Sequence, residues 1–179
     1  MSNDLSDPER ERYAARIEHG LGVEGQLRLK GSRVIVFGAG RTGATAAGLL
    51  ASGGVGYVAV VDGAPVRLGD LAGQTLQYTP DVGANKAESV AAKLGVLNPL
   101  VQVESYPVPV DDANAAAIVE GHDLVLDCTG DPATRAILEA ACSGRPISFL
   151  QASGGVAAGA AVAEQVLALP AAQSAEVRA

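Results

Sequence analysis

A chain of 179 residues with 13 basic and 20 acidic side chains, for a net charge of −7, is long enough for one domain and too acidic to favour a nucleic-acid partner. It contains neither a block of basic residues nor an apolar run of the about 18 residues that a membrane span needs, so we expect no nucleic-acid and no membrane partner. The polar, acidic first residues lack the pattern of an export signal, and we therefore expect a cytoplasmic protein.

The first predicted element is helical. Residues 7–30 carry apolar side chains among charges, which indicates a helical hairpin, at Tyr13, Ile17, Leu21, Leu27 and Leu29. We interpret residues 1–31 as an N-terminal helical extension of a single domain that spans residues 1–170. Residues 171–179 are predicted to form a loose C-terminal tail.

Short apolar runs and helical stretches alternate from residue 33 onward. The predicted strands are residues 34–37, 57–61, 101–105, 124–128 and 147–150. The predicted helices are residues 42–51, 85–97, 113–119, 132–141 and 156–169. This alternation predicts an α/β protein with a Rossmann-like, doubly wound and mainly parallel sheet. The last predicted helix is rich in alanine, which suits burial and also permits close packing against another subunit.

A glycine-rich motif joins the first predicted strand to the helix that follows it. Gly38, Gly40 and Gly43 form a GxGxxG pattern with Arg41 inside it. Such glycines allow a tight turn, the approach of phosphate oxygens to the main chain, and close helix–strand packing. Asp62 ends the second strand, where a carboxylate can accept hydrogen bonds from ribose hydroxyls. A glycine-rich turn with a capping Asp is the simpler interpretation, but the combination favours a nucleotide site.

The cysteines and histidines do not indicate a metal site. Cys128 and Cys142 form neither a CxxC pair nor a disulfide framework, and each lies in an apolar segment. His19 and His122 follow no metal-ligand or catalytic spacing. We therefore expect no zinc, and we interpret all four side chains as structural or surface residues.

An ordered set of short motifs resembles the ThiF/MoeB/ubiquitin-activating superfamily from about residue 12 to residue 150. The motifs are Arg12-Tyr13, Gly25-Gln26-Leu27-Arg28-Leu29-Lys30, residues 38–43, Gly54-Val55-Gly56, Val61-Asp62, Asp81-Val82-Gly83, Lys86-Ala87-Glu88, Leu97-Asn98-Pro99 and Asp127-Cys128-Thr129. The resemblance implies binding of ATP with magnesium and adenylation of the C-terminal carboxylate of a ubiquitin-like sulfur-carrier protein or peptide. It also implies a homodimer or heterodimer.

The resemblance assigns roles to five residues of this sequence. Gly38, Gly40 and Gly43 match the phosphate loop, Asp62 the ribose-binding acid, and Lys86 the lysine that contacts phosphate. Without the resemblance, Lys86 would be interpreted as a solvated lysine on a helix. No residue of the sequence is assigned a catalytic role.

Other positions depart from the pattern that the resemblance implies. Two arginines and two carboxylates of the family are replaced, at Ala15, Ala64, Gly73 and Gly130. Arg16 and Asp131 each lie one position away from a missing group, which directs a side chain elsewhere. The family's Ser-Asn pair is Gly69-Asp70 here, and no cysteine follows Cys142 that could form a thioester or persulfide.

Three hypotheses remain open. In the first, the domain binds a nucleotide weakly or not at all and acts as a non-catalytic partner subunit or scaffold for a carrier. In the second, it is an active adenylyltransferase whose pocket is completed by another chain or by Asp131, Arg41 and Arg16. In the third, it is an NAD-binding oxidoreductase, because a GxGxxG motif and an acid fit any adenosine ribose.

Overall fold

The sheet contains five parallel strands. A computed structural model describes residues 4–168. The strands are β1 (Arg33–Phe37), β2 (Tyr57–Val61), β3 (Gln102–Tyr106), β4 (Leu124–Asp127) and β5 (Ser148–Gln151). Their order across the sheet is β3-β2-β1-β4-β5, and every neighbouring pair is parallel. The predicted Rossmann-like sheet is confirmed, with each strand within one residue of its predicted limits.

Eight α-helices surround this sheet in the part of the chain that is described. They are α1 (Asp7–Arg12), α2 (Ala14–Arg16), α3 (Gly22–Gly31), α4 (Arg41–Gly53), α5 (Lys86–Leu97), α6 (Ala115–Val119), α7 (Pro132–Cys142) and α8 (Val156–Ala168). Two 3₁₀ turns, Leu68–Leu71 and Thr79–Asp81, lie between β2 and α5. None of these helices is long and apolar enough to cross a membrane.

The N-terminal segment is helical, but it is divided into more pieces than a two-helix hairpin. A π-helical stretch, Ile17–Leu21, separates α2 from α3. Gly22 has φ +64°, a left-handed conformation that glycine adopts without strain, and α3 starts there. The helix α3 ends at Gly31, where we place the end of the extension. The predicted tail, residues 171–179, lies outside the described residues.

Apolar residues alternate between the two faces of the sheet. Val34 and Val36 of β1 face a core that includes residues of α4, α5 and α8. Ile35 and Phe37 face the opposite core, which includes residues of α6 and α7. Because both faces are covered, β2 is buried along its whole length, as expected of a parallel sheet.

The helices α4 and α8 approach each other closely on the first face. A Cβ at Gly159 of α8 would lie 2.2 Å from the main-chain oxygen of Thr42, so only glycine fits there. The N–H of Gly155, just before α8, donates to Oγ1 of Thr42 over 3.0 Å. The predicted closing helix is thus confirmed, with one side buried and the other exposed, and its start is attached to the start of α4.

The topology places the loops after β1, β2 and β4 together. From β1 the chain proceeds to β2 and β3 on one side, and from β4 to β5 on the other. The strand order therefore reverses between β1 and β4, the position at which doubly wound sheets form a crevice beyond their carboxyl ends.

Candidate functional site

Two adjoining cavities lie at this edge of the sheet. The larger, of about 580 Å³, is bordered by the loops after β1, β2 and β4 and by the start of α5. The smaller, of about 390 Å³, lies between the starts of α4 and α8. Gly40, Cys128 and Thr129 line both. The larger cavity is within the range of 300–1,000 Å³ that is typical of small-molecule sites.

The three motif glycines occupy different environments. Gly38 has φ +90°, and its N–H donates to the oxygen of Val61 over 2.8 Å. A Cβ at Gly43 would lie 1.7 Å from the oxygen of Gly38, which leaves no room for any side chain. A Cβ at Gly40, in contrast, would meet no atom within 4 Å. Gly38 and Gly43 therefore shape the loop, whereas Gly40 leaves open space beside both cavities.

The start of α4 faces the cavities with free main-chain donors. Gly40 is the N-cap, and no side chain caps the helix. The first N–H groups of an α-helix have no partner inside the helix, and the helix dipole adds positive potential there. This end of α4 can therefore accept an anionic group such as a phosphate.

Three hydrogen bonds to its oxygen atoms hold Asp62 in position. Its Oδ2 accepts from the N–H of Ala39 and its Oδ1 from the N–H of Ala64, both over 2.8 Å. Its main-chain oxygen accepts from Nδ2 of Asn85 over 2.9 Å. Each carboxylate oxygen keeps a second lone pair. Asp62 thus fixes the loops after β1 and β2 and can still accept hydrogen bonds from a ligand's hydroxyl groups.

Lys86 reaches the larger cavity as the first residue of α5, but it is paired. Asn85 caps the helix by accepting from the N–H groups of Ala87 and Glu88. Lys86 Nζ lies 2.9 Å from Oδ2 of Asp70, and both side chains are largely buried. The hydrogen bond from Lys86 holds the pKa of Asp70 below its usual value. Sequence reasoning missed this pair, although an acid at position 70 in place of the family's asparagine was its one available sign.

Arg41 lies beside the smaller cavity. Its side chain is next to Gly73, where a Cβ would lie 3.2 Å from Cδ of Arg41. Gly73 itself has φ +87°, a conformation that disfavours any side chain. Arg41 therefore occupies space next to the position from which the family's arginine would extend.

Asp131 has a structural role. Its Oδ2 accepts from the N–H and Oγ1 of Thr134, over 2.9 and 2.7 Å, and it is the N-cap of α7. These hydrogen bonds lower the pKa of Asp131. The neighbouring Gly130 has φ +70° and offers no side-chain ligand atom. The hypothesis that Asp131 replaces the family's metal-binding acid therefore receives no support, and Arg16 lines neither cavity.

A buried carboxylate lies below the site, at a residue that the sequence analysis named within a motif but gave no role. Asp127 is fully buried at the end of β4, and its Oδ1 accepts from the N–H and Oγ1 of Thr129. Its Oδ2 lies 3.5 Å from Nε of Arg135 without a good hydrogen bond. These contacts fix the loop that carries Thr129 into both cavities.

Clusters of potential metal ligands and the state of the cysteines were predicted from the sequence and can be compared with the described part of the chain. Between residues 4 and 168, no group of three or more His, Cys, Asp or Glu side chains could hold a metal ion. Burial raises the pKa of Cys128 to about 12, and it also raises that of Cys142. Both thiols are buried and protonated at neutral pH, as expected of small apolar core residues.

Comparison with known proteins identifies the family. The model of the ThiF family matches residues 13–168. The chain belongs to the ThiF family. It is 40% identical over 152 residues to the adenylyltransferase and sulfurtransferase UBA4 of Vanderwaltozyma polyspora, covering 84% of this chain and 35% of that protein. It is 41% identical over 140 residues to the molybdopterin-synthase adenylyltransferase of Escherichia coli K12, covering 78% and 56%.

Solved structures of the ThiF fold extend the comparison. The tRNA N6-threonylcarbamoyladenosine dehydratase TcdA of E. coli in complex with AMP superposes with a TM-score of 0.78 at 26% identity, over 83% of this chain and 61% of that one. The complex of TcdA with ATP also gives 0.78 at 26% identity, over 84% and 62%. The chain spans only 35% of the UBA4 relative and 56% of the molybdopterin-synthase relative.

Proposed function

We propose that this ThiF-family chain binds an adenine nucleotide but is impaired in adenylation, and that it serves a ubiquitin-like carrier protein or peptide as a non-catalytic partner subunit or scaffold. One observation carries the proposal. Asp62, which would accept hydrogen bonds from the ribose, lines the larger cavity, whereas Lys86, the cation of that cavity, is paired with Asp70.

The nucleoside side of the site supports nucleotide binding. Asp62 is positioned by two main-chain donors and can accept ribose hydroxyls, and the open space at Gly40 lets phosphate oxygens approach the start of α4. The TcdA structures contain AMP and ATP, and we extend that ligand class to this chain.

The residues near the expected position of the phosphates support weak or absent adenylation activity. Transfer of AMP requires cations aimed at the charge that develops on the α-phosphate and on the leaving pyrophosphate. Loss of one such group costs about 10²–10³ in rate. Gly73 and Gly130 lack the family's cation and carboxylate, and Asp131 is occupied as a helix cap. The residues therefore fit an adenine nucleotide better than they fit its magnesium ion.

The carrier and the dimer come from the family rather than from the geometry. The two sequence relatives named above are adenylyltransferases. The ubiquitin-like carrier or peptide is what the resemblance of the sequence motifs implies. We extend to this chain a carrier or peptide partner and a homodimer or heterodimer. The active-enzyme alternative is favoured by one contact, the position of Arg41 beside Gly73, which would place a replacement cation near the phosphates. No relative named above supports the NAD-dependent oxidoreductase.

Calorimetric titration of ATP and AMP, with and without magnesium, tests nucleotide binding. We expect measurable binding that Asp62→Ala abolishes, because both loops and the ribose acceptor depend on that carboxylate. Lys93→Ala is the control, because Lys93 of α5 pairs with Asp81 of the second 3₁₀ turn and lines neither cavity. Failure of either nucleotide to bind would overturn the proposed nucleotide site.

Release of pyrophosphate in the presence of a ubiquitin-like carrier tests the impairment. We expect release at least about 10²-fold slower than that of the molybdopterin-synthase adenylyltransferase measured alongside. A rate equal to that of the relative would contradict impairment and select the active-enzyme alternative.

A further inference from the structure

The ion pair between Lys86 and Asp70 determines the charge of the larger cavity. Among the described residues that line it, Asp62 and Lys86 carry the formal charges. Asp70 lies 2.9 Å from Lys86 Nζ and compensates its charge. The side chains are 15% and 28% exposed, so the pair is screened by water less than an ordinary surface pair. A phosphate that approached Lys86 would therefore also meet a carboxylate.

Both partners are held in place by other contacts. Oδ2 of Asp70 also accepts from the N–H of Arg67 over 2.9 Å, which closes the 3₁₀ turn. The main-chain N–H of Lys86 donates to the oxygen of Ala64 over 3.0 Å. These hydrogen bonds hold the Asp70 carboxylate and the backbone of Lys86 in the positions that allow the pair to form. A phosphate must compete with Asp70 for Lys86.

The same helix carries a second ion pair that lies away from the site. Lys93 Nζ lies 2.5 Å from Oδ1 of Asp81, at the end of the other 3₁₀ turn, with exposures of 23% and 18%. Neither residue lines either of the two cavities described above. This pair matches the first in chemistry, burial and local structure, and it provides a control for any effect on α5 itself.

We propose that Asp70 sets the phosphate selectivity of the nucleotide site, so that the site favours a nucleoside monophosphate over a triphosphate. The inference rests on the proposed nucleotide binding and specifies its ligand class. The main-chain N–H groups at the start of α4 can bind a single phosphate, whereas the additional phosphates of ATP need a cation. Asp70 withholds that cation and adds repulsion that grows with the charge of the ligand.

The variant Asp70→Asn isolates the charge. Its side-chain oxygen still accepts from the N–H of Arg67, so the 3₁₀ turn is kept, while the negative charge is lost. We expect its affinity for ATP to rise about tenfold and its affinity for AMP to change less than about threefold. Asp81→Asn, the matched control, should leave both affinities unchanged. Thermal unfolding of each variant identifies any that does not fold, and Asp70→Ser then replaces it.

The double variant Asp70→Asn/Lys86→Ala tests whether the effect passes through Lys86. If Asp70 acts by withholding this lysine, the gain in ATP affinity disappears in the double variant. If the gain in ATP affinity persists without Lys86, Asp70 does not act by competing for the lysine, and only its repulsion of the ATP phosphates remains as an explanation.

Titrations of AMP and ATP with the wild type and these variants, with and without magnesium, decide the outcome. Tighter ATP binding by Asp70→Asn in the absence of magnesium supports the proposal. Unchanged ATP binding overturns it while leaving nucleotide binding intact. A loss of ATP binding that occurs only with magnesium also overturns it and assigns Asp70 to the metal instead. No binding of either nucleotide to any variant refutes the proposed function together with this inference.

Discussion

Single residues of the glycine motif have separable roles. Gly43 is required by the fold, because the main chain of Gly38 fills the space where its side chain would lie. Gly40 is not required by the fold, because the space around it is open and its φ of −75° suits any residue. A motif that is uniform in sequence therefore divides into a structural part and a ligand-facing part.

The same substitution at these two glycines should have opposite consequences. Gly43→Ala places a methyl group 1.7 Å from a carbonyl oxygen, and we expect it to lower the free energy of unfolding by about 3 kcal/mol or more. Gly40→Ala should leave stability within about 1 kcal/mol and weaken nucleotide binding. Urea unfolding and calorimetric titration of both variants check this. If Gly40→Ala binds the nucleotide with unchanged affinity, the phosphates do not bind next to Gly40.

Asp131 provides a second test at this scale. Asp131→Ala removes the cap of α7, including the hydrogen bonds to Thr134, so we expect a lower melting temperature. Magnesium-dependent nucleotide binding should not change, because the carboxylate is engaged in the cap. Asp131→Asn is the control, since its side-chain oxygen can still accept from Thr134 and keep the cap while the negative charge is lost. A selective loss of magnesium dependence in Asp131→Ala would restore this residue as a metal ligand.

The sequence predicted where the site residues lie better than what they contact. The glycine motif and Asp62 were predictable because each lies next to a strand with a clear pattern, whereas Lys86 was assigned only by the resemblance to the family. The pairing of Lys86 with Asp70 was not predictable, because it depends on the path of an irregular segment between β2 and α5. Asp131 could be recognised as a helix start from Pro132, but its hydrogen bonds to Thr134 became visible only in the structure.

At the scale of elements, hydrophobic patterning was sufficient for the sheet and insufficient for the N-terminal segment. Each strand is a short apolar run between turn residues, so its limits are well marked. The N-terminal segment is amphipathic along its length, and its division by the π-helical stretch Ile17–Leu21 leaves no comparable mark. The alanine-rich run predicted a buried helix, but not that α4 would be its partner.

The contact between α4 and α8 predicts that a Gly→Ala substitution lowers the free energy of unfolding at this contact and raises it at an open helical position. Gly159→Ala would place Cβ 2.2 Å from the oxygen of Thr42, and we expect a loss of about 2 kcal/mol or more in the free energy of unfolding. Gly95→Ala in α5 meets no atom within 4 Å and should stabilise the protein by about 0.5–1 kcal/mol. Urea unfolding of both proteins measures the difference. A stable Gly159→Ala variant would mean that α8 is free to shift away from α4.

At the scale of the whole molecule, the length of the sheet separates the proposed nucleotide site from a cluster of polar side chains at the opposite ends of the strands. The cavities lie beyond the carboxyl ends of the strands. At the opposite ends, Arg33 lies over the ring of Tyr57 at 3.7 Å, and Tyr57 donates a hydrogen bond to Glu104. His122 packs there with a ring distance of 5.6 Å to Tyr57. His122 can therefore affect the acid dependence of stability without contacting either cavity.

Stability should fall with decreasing pH because of His122. Burial lowers the pKa of His122 below its ordinary value of 6.5, and Arg33 lowers it further, while the hydrogen bond to Val119 and the charge of Glu104 act in the opposite direction. The folded state then binds protons less readily than the unfolded state, so this contribution is present above pH 6.5 and is lost as pH falls through the lowered pKa. Asp70 and Asp81, whose pKa values are held below 3.8 by Lys86 and Lys93, add a second loss at more acidic pH.

Urea unfolding between pH 7.5 and 5 tests the role of His122. The free energy of unfolding should fall with decreasing pH in the wild type and in His19→Gln, which changes an exposed histidine, and this dependence should be absent in His122→Phe. An equal slope in His122→Phe would assign the acid sensitivity to other groups.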